Sequence, residues 1–192
     1  MGGELKALEA ASNEGESYLA DVAWARRYAC ESRLAMLGAV EQVIQSQLGA
    51  RLQWASLIHS DHNHIERESH RGLPLWVHRK GAQMAGAGEP GIIPGSMGSA
   101  TFHTEGRGCD DAMRSSSHGA GRRLSRSAAR QSINDKEFTR QVARLWFDRR
   151  RTGQLRDEAP GAYKDIREVM RAQRELVTIV RALRPLLNYK GV

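Results

Sequence analysis

The run Gly81-Ala82-Gln83-Met84-Ala85-Gly86-Ala87-Gly88-Glu89-Pro90-Gly91-Ile92-Ile93-Pro94-Gly95-Ser96-Met97-Gly98 sets the architecture of this chain. Across the wider stretch 72–108 glycine recurs every few residues and prolines stand at Pro74, Pro90 and Pro94. Short apolar runs, Leu75-Trp76-Val77 and Gly91-Ile92-Ile93, lie between them. Such punctuation reads as short strands joined by tight turns. Helical periodicity flanks it. From Ser17 to Leu48 the residues Leu19, Val22, Ala23, Ala29, Leu34, Leu37, Val40, Ile44 and Leu48 recur at helical spacing, with Gly49 placed to cap the end of one or two helices. A second helix is expected over Asn134 to Arg149, capped by Asn134 or Asp135 and carrying Phe138, Val142 and Leu145 inward. A third is expected where Ile166, Val169, Met170, Gln173, Leu176, Val177, Val180 and Leu183 share one side, with Pro185 as its stop. The expected fold class is α+β, in a single domain over 1–192. The first dozen residues carry no strong pattern.

The chain has 192 residues, 40% of them apolar and 27% charged, the composition of an ordinary globular protein with room for one core. No apolar stretch approaches the roughly 20 residues of a membrane span, so no membrane partner is expected, and Met1-Gly2-Gly3-Glu4 has neither part of a secretory signal. Cys30 and Cys109 lie far apart outside any CxxC spacing, which argues against a disulfide framework or a structural zinc and for a cytoplasmic setting. The net charge of +7, from 29 Lys and Arg against 22 Asp and Glu, suits a polyanionic partner as well as it suits simple solubility.

Several motifs carry chemistry. Gly86-Ala87-Gly88-Glu89-Pro90-Gly91 satisfies G-x-G-x-x-G, but Pro90 and Ile92-Ile93 call for a turn into a strand where a dinucleotide fold needs a helix to begin. His59, His62, His64 and His70 accompany Asp61, Glu66 and Glu68, a composition suited either to a divalent metal or to a solvated polar loop. Pro94-Gly95-Ser96-Met97-Gly98 is either a phosphate-binding nest of amides or a plain β-turn. Arg149-Arg150-Arg151, with Arg140, Arg144 and Arg156, forms a basic stripe that could track RNA or simply face water. In Ser117-His118-Gly119-Ala120-Gly121-Arg122 a single imidazole stands among small residues, so His118 is either a packing histidine or a nucleophile for nucleotidyl transfer, with Arg122 and Lys80 as candidate cations.

Five segments together resemble the RtcB family of GTP-dependent RNA ligases: Asp61-His62-Asn63-His64-Ile65-Glu66, His78-Arg79-Lys80-Gly81-Ala82, Ile93 to Gly98, Ser117 to Arg122, and Asp157-Glu158-Ala159-Pro160-Gly161-Ala162-Tyr163-Lys164-Asp165-Ile166. The ending, through Tyr189-Lys190-Gly191, is similar as well. The resemblance implies an enzyme that joins RNA 3′-phosphate or 2′,3′-cyclic phosphate ends to 5′-hydroxyl ends, with GTP and Mn²⁺ as cofactors. It implies that His118 takes the guanylate, that His62 is a Mn²⁺ ligand, and that His62 and Asn63 lie at the GMP. Pro94, Gly95, Ser96, Met97 and Thr101 would form the turn around the nucleotide. Lys80 would approach the phosphates, with Gly119, Ala120, Gly121 and Arg122 beside His118. Tyr163 would stack on guanine and Lys190 would read its O6.

By the same resemblance the chain corresponds to the C-terminal half of such a ligase. The Asp-x-x-Cys, Gly-Asn-His-Phe-x-Glu and His-x-Gly-Ser-Arg runs that supply most of the family's metal ligands do not occur in it. The isolated chain is therefore expected to ligate weakly or not at all. The alternatives are one half of a two-polypeptide ligase, or a non-catalytic GTP- or RNA-binding remnant.

Overall fold

A computed structural model describes residues 7–190, so the opening residues of the patternless N-terminal stretch lie outside the described residues. The fold is α+β, as expected, with helices and small antiparallel sheets. Its residues gather into two compact units. Of the described residues, the first comprises 7–57 with Asn63–Arg79, and the second comprises Ile58–His62 with 80–190.

In the first unit, α1 (Asn13–Leu48) is one unbroken helix. The Ser12 hydroxyl accepts from the Gly15 amide at 3.1 Å and Glu14 and Glu16 occupy the first turn, so charge and cap both favour starting there. Gly49, at φ +65°, closes the other end by donating its amide to Gln45 O. The helix is there but the predicted stripe is only partly covered: Leu19, Val22, Ala29, Leu34, Leu37 and Ile44 are intermediate in exposure, Ala23, Val40 and Leu48 are exposed, and Gly15 is the helix's one buried residue. A hairpin follows, β1 (Asn63–His70) and β2 (Leu73–Lys80), joined through Arg71 and Gly72. Both turn residues have positive φ, which matches the twist of a two-residue hairpin loop. Arg26 of α1 pairs with Glu66 of β1, while Arg79 and His70 both close on Glu68.

In the second unit, β3 (Ala82–Met84) pairs with β6 (Ser115–Ser117), and β5 (Thr101–Gly106) lies between β4 (Pro90–Pro94) and β7 (Val177–Leu183), antiparallel to both. The literal G-x-G-x-x-G is a turn that runs straight into β4, as Pro90 requires. Short helices α2 (Arg126–Ser132), α3 (Asp135–Gln141), α4 (Thr152–Leu155) and α5 (Ile166–Ala172) complete the unit. One core cluster gathers Phe138, Val142, Leu145, Phe147 and Leu155, and the other gathers Ile93, Phe102, Ile166, Met170 and Val177; Tyr163 packs against both.

Two helical expectations are corrected. Asn134 does cap α3, its side chain accepting from Glu137 N at 2.9 Å, but the helix ends at Gln141, and Val142 and Leu145 reach the core from turns. The third helix stops at Ala172, and 177–183 is a strand. Val177, Thr178, Ile179 and Val180 are β-branched, and β5 offers an open edge whose amides and carbonyls they satisfy. A helical continuation would have left that edge unpaired.

Candidate functional site

In the second unit the run Ser117–Arg122 links several of the candidate residues. The Gln173 side-chain oxygen accepts from both the amide and the hydroxyl of Ser117, at 3.0 and 3.1 Å, and this fixes the end of β6. His118 follows. Its amide donates to Gly81 O at 3.3 Å, and the Gly81 amide donates to His62 O at 2.7 Å. One glycine thus ties two histidines that are remote in sequence, and their rings stand 4.1 Å apart between centroids, tilted by 47°. Gly81 has φ +73°, a conformation that side chains disfavour. His118 is half-buried and His62 exposed, with exposed Lys80 just before Gly81. Asn63, next to His62, begins β1 in the other unit.

The next residues press onto the Pro94 turn. The Ala120 amide donates to Pro94 O at 3.0 Å, and a Cβ on Gly119 would lie 3.2 Å from that same oxygen. Within the turn Gly95 donates to Ala100 O, and the Ser96 and Ser99 hydroxyls share a hydrogen bond at 2.7 Å. A Cβ on Gly95 would meet Ser99 Cβ at 2.6 Å, so only glycine lets this turn fold so tightly. Met97 is buried in the first core and Ala120 in the second, while Thr101 pairs with Pro94 and Leu183 across the sheet.

Beyond Gly121, at φ +72°, the Arg122 guanidinium turns inward. It donates to Leu124 O, to the Tyr163 hydroxyl at 3.0 Å and to Asp157 O, and lies 4.9 Å from the Tyr163 ring centroid. One face of the Tyr163 ring is therefore covered by a cation, and the residue also packs against both core clusters. Glu158, which sequence reasoning passed over, is the hub of this end. Its carboxylate accepts from the Tyr163 hydroxyl at 2.8 Å and from Arg126 at 3.1 Å, with Lys190 Nζ at 3.4 Å and Arg122 at 3.6 Å. Burial pushes the Tyr163 phenol above its usual range, and the bond to the Glu158 carboxylate pushes it the same way. The signal for Glu158 was its place in the same short segment as Tyr163. The Tyr163 segment also lines a cleft of about 780 Å³ with Ser99, Arg123, Lys164 and Asp165.

The histidine cluster divides into local pairs: His59 with Asp61, His64 with Glu66, and His70 with Glu68. Among the described residues no group of three or more His, Cys, Asp or Glu side chains converges as a metal site. Among the described residues, the His62 and His118 imidazoles that stand together do not fit a tightly held manganese pair, because two nitrogen donors leave most of the coordination shell unfilled. The basic stripe is partly neutralised, with Arg150 on Asp148, Arg140 on Glu137 and Arg156 on Asp135. The Arg150 guanidinium in turn holds the Asp148 carboxyl down at about 2.

What these parts make is an α+β protein in which a histidine pair and a tight glycine–serine turn, drawn from separate segments, are both joined to the run Ser117–Arg122. The chain belongs to the RtcB family: the family model described as tRNA-splicing ligase RtcB matches residues 2–191. It is 38% identical to the RNA-splicing ligase RtcB of Escherichia coli strain K12, over 92% of this chain and 44% of that protein. It is 31% identical to the RNA-splicing ligase RtcB of Mycobacterium tuberculosis, over 98% of this chain and 48% of the relative. The tRNA-splicing ligase RtcB of Nanoarchaeum equitans is 33% identical over 94% of this chain. The chain thus spans about half the length of the curated relatives it matches. Among the described residues no helix is long and apolar enough to cross a membrane.

Proposed function

We propose that this chain carries the guanylate-accepting centre of an RNA ligase, with His118 as the nucleophile. An unprotonated ring nitrogen of His118 attacks the α-phosphorus of GTP; a P–N bond forms, the bond from that phosphorus to the bridging oxygen breaks, and pyrophosphate leaves. An oxygen of the RNA 3′-phosphate then attacks the same phosphorus, breaks the P–N bond and carries the guanylate away. The 5′-hydroxyl of the second RNA end attacks the activated 3′-phosphorus, loses its proton, and GMP departs. The observation that carries this reading is the His62–His118 pair, held at 4.1 Å through the backbone of Gly81. Hydrogen bonds of the Ser117, His118 and Ala120 amides hold the backbone around His118, which supports a positioned nucleophile.

The other residues take roles their places support. Lys80 offers a cation next to the histidine pair. The Ser96–Ser99 turn offers hydroxyls and amides to phosphate oxygens. Tyr163, which lines the cleft, meets the guanine, and Lys190, beside the same carboxylate as the Tyr163 hydroxyl, reads O6. Arg122 acts here by holding Tyr163. Metal ligands beyond His62 come from another polypeptide segment in this reading, because the described residues assemble no such group.

Intact-mass analysis of the purified chain after incubation with GTP and MnCl₂, beside His118→Ala, tests the proposal. A guanylate adduct on the wild type, absent from the variant, supports it. A folded chain that acquires no adduct, alone or with an added protein carrying the Asp-x-x-Cys and Asn-His-Phe segments, would favour a non-catalytic GTP- or RNA-binding role.

A further inference from the structure

Beside the Tyr163 cleft lies a second depression of about 860 Å³ that none of the candidate nucleotide residues accounts for. The two share Ser99, Gln141, Asp165 and Ile166 as a common wall, so one opens next to the other. Its floor is apolar, from Phe102, Val142, Leu145 and Ile166, all buried. Its rim is cationic: Arg140, Arg144, Arg167 and Arg184 line it against the single carboxylate of Asp165. That carboxylate is engaged in capping α5, where it accepts from Arg167 N at 2.8 Å.

The arginines of this rim differ from most others in the unit. Arg122, Arg126, Arg130, Arg150 and Arg156 each close on a carboxylate. Among the described residues the guanidinium groups of Arg144, Arg167 and Arg184 meet no acidic partner, and all three residues are exposed; Arg140 alone of the four pairs, with Glu137. They come from three places in the chain, after α3, on α5 and after β7, and only the fold brings them to one groove. Mutually repelling cations gathered over an apolar floor cost stability unless an anion covers them. A polyanion with flat apolar faces between its charges matches both the rim and the floor.

We infer that this groove is the track for the phosphate backbone of a single RNA strand, which passes beside the Tyr163 cleft. The inference rests on the RNA-ligase reading for the identity of the polyanion, and on the groove itself for the place. The basic stripe at Arg149–Arg151 is the competing track, and it is already partly neutralised by Asp148.

The test is fluorescence anisotropy of a labelled single-stranded RNA ending in a 3′-phosphate, titrated with the chain at several KCl concentrations. Arg144→Glu/Arg184→Glu is compared with Arg149→Glu/Arg150→Glu, which changes net charge equally away from the groove. Each neutralised phosphate contributes about 0.7 to the slope of log affinity against log salt for a single strand. The groove pair is therefore expected to lower the slope by about 1.4 and to weaken binding roughly tenfold or more. The stripe pair is expected to stay within about twofold of wild type. Equal losses in both pairs would reduce the effect to net charge and overturn the groove, as would a larger loss from the stripe. Circular dichroism melts check that the exposed substitutions leave the fold intact, with Arg144→Gln/Arg184→Gln as a milder second pair. Should wild type bind no RNA, the inference falls with the RNA reading. Guanylylation of His118, which uses none of these arginines, reports separately on the nucleotide centre.

Discussion

Gly81→Ala probes the joint that brings the two histidines together. The Gly81 backbone stands at φ +73°, donates to His62 O at 2.7 Å and accepts from His118 N at 3.3 Å. Space is not the obstacle, because a Cβ there would lie 4.0 Å from His118 Cδ2, an ordinary contact. The cost is conformational, about 1–2 kcal/mol for an L-residue held in the left-handed region. Relaxing to negative φ would instead forfeit both backbone bonds, worth about 0.5–1.5 kcal/mol each and more where a buried group is left unpaired. The two routes are comparable, so the alanine variant is expected to keep the native turn under strain and to lose about 1–2 kcal/mol. Asparagine tolerates this region better, so Gly81→Asn should recover part of the loss. Proline cannot donate to His62 O and locks φ near −65°, so Gly81→Pro should lose about 3 kcal/mol or more and separate the rings. Urea denaturation gives the stabilities, and the ring-current shift of the His118 Cδ2 proton in NMR spectra reports the pair. Equal stability in all three variants, or asparagine no better than alanine, would refute the reasoning.

Other outcomes follow from the packing and the charges. Phe138, fully buried and edge-on to Phe147 with centroids 5.4 Å apart, should cost about 3–5 kcal/mol on substitution by alanine in urea melts. Asp157, 2% exposed, meets Arg126 at 3.0 Å and Arg130 at 3.3 Å. Burial pushes its carboxyl up, but the bonds and charges of Arg130 and Arg126 outweigh that and hold it below the usual range. A depressed carboxylate contributes stability above its unfolded value near 3.9 and loses it as pH falls through the folded value. Acid denaturation should therefore be shallower in Asp157→Asn, with about 1–2 kcal/mol less stability at neutral pH, since both arginines can still reach water. An unchanged acid limb would count against the pairing.

Local chemistry was legible wherever a residue acts on its own neighbours. Gly49 ends α1 and Asn134 begins α3 because a cap needs only the turn beside it. Pro90 turns the G-x-G-x-x-G run into a strand for the same local reason. The family was legible too, since its short segments keep their order along the chain. Periodicity misled at 173–183, because Val177, Val180 and Leu183 fit a helical face as well as they fit a strand. The choice fell to the open edge of β5, which lies some seventy residues earlier and which no local window contains.

The site shows the same division. His118 stood out as a candidate by its own chemistry, and Tyr163 and Lys190 entered only through the family resemblance. Their arrangement was not legible. The contact between His62 and His118 depends on one left-handed glycine that hydrogen-bonds to both backbones. Arg122 reads as a phosphate-binding cation in sequence, and in the folded chain its guanidinium is taken up by Tyr163, Leu124 and Asp157. Glu158 gathers Arg126, Tyr163 and Lys190, and the arginines of the groove converge from three separate segments. Composition and spacing identify which groups a chain owns; distance between groups remote in sequence is set only when strands pair and the core closes, and charge and hydrogen bonding act through that distance.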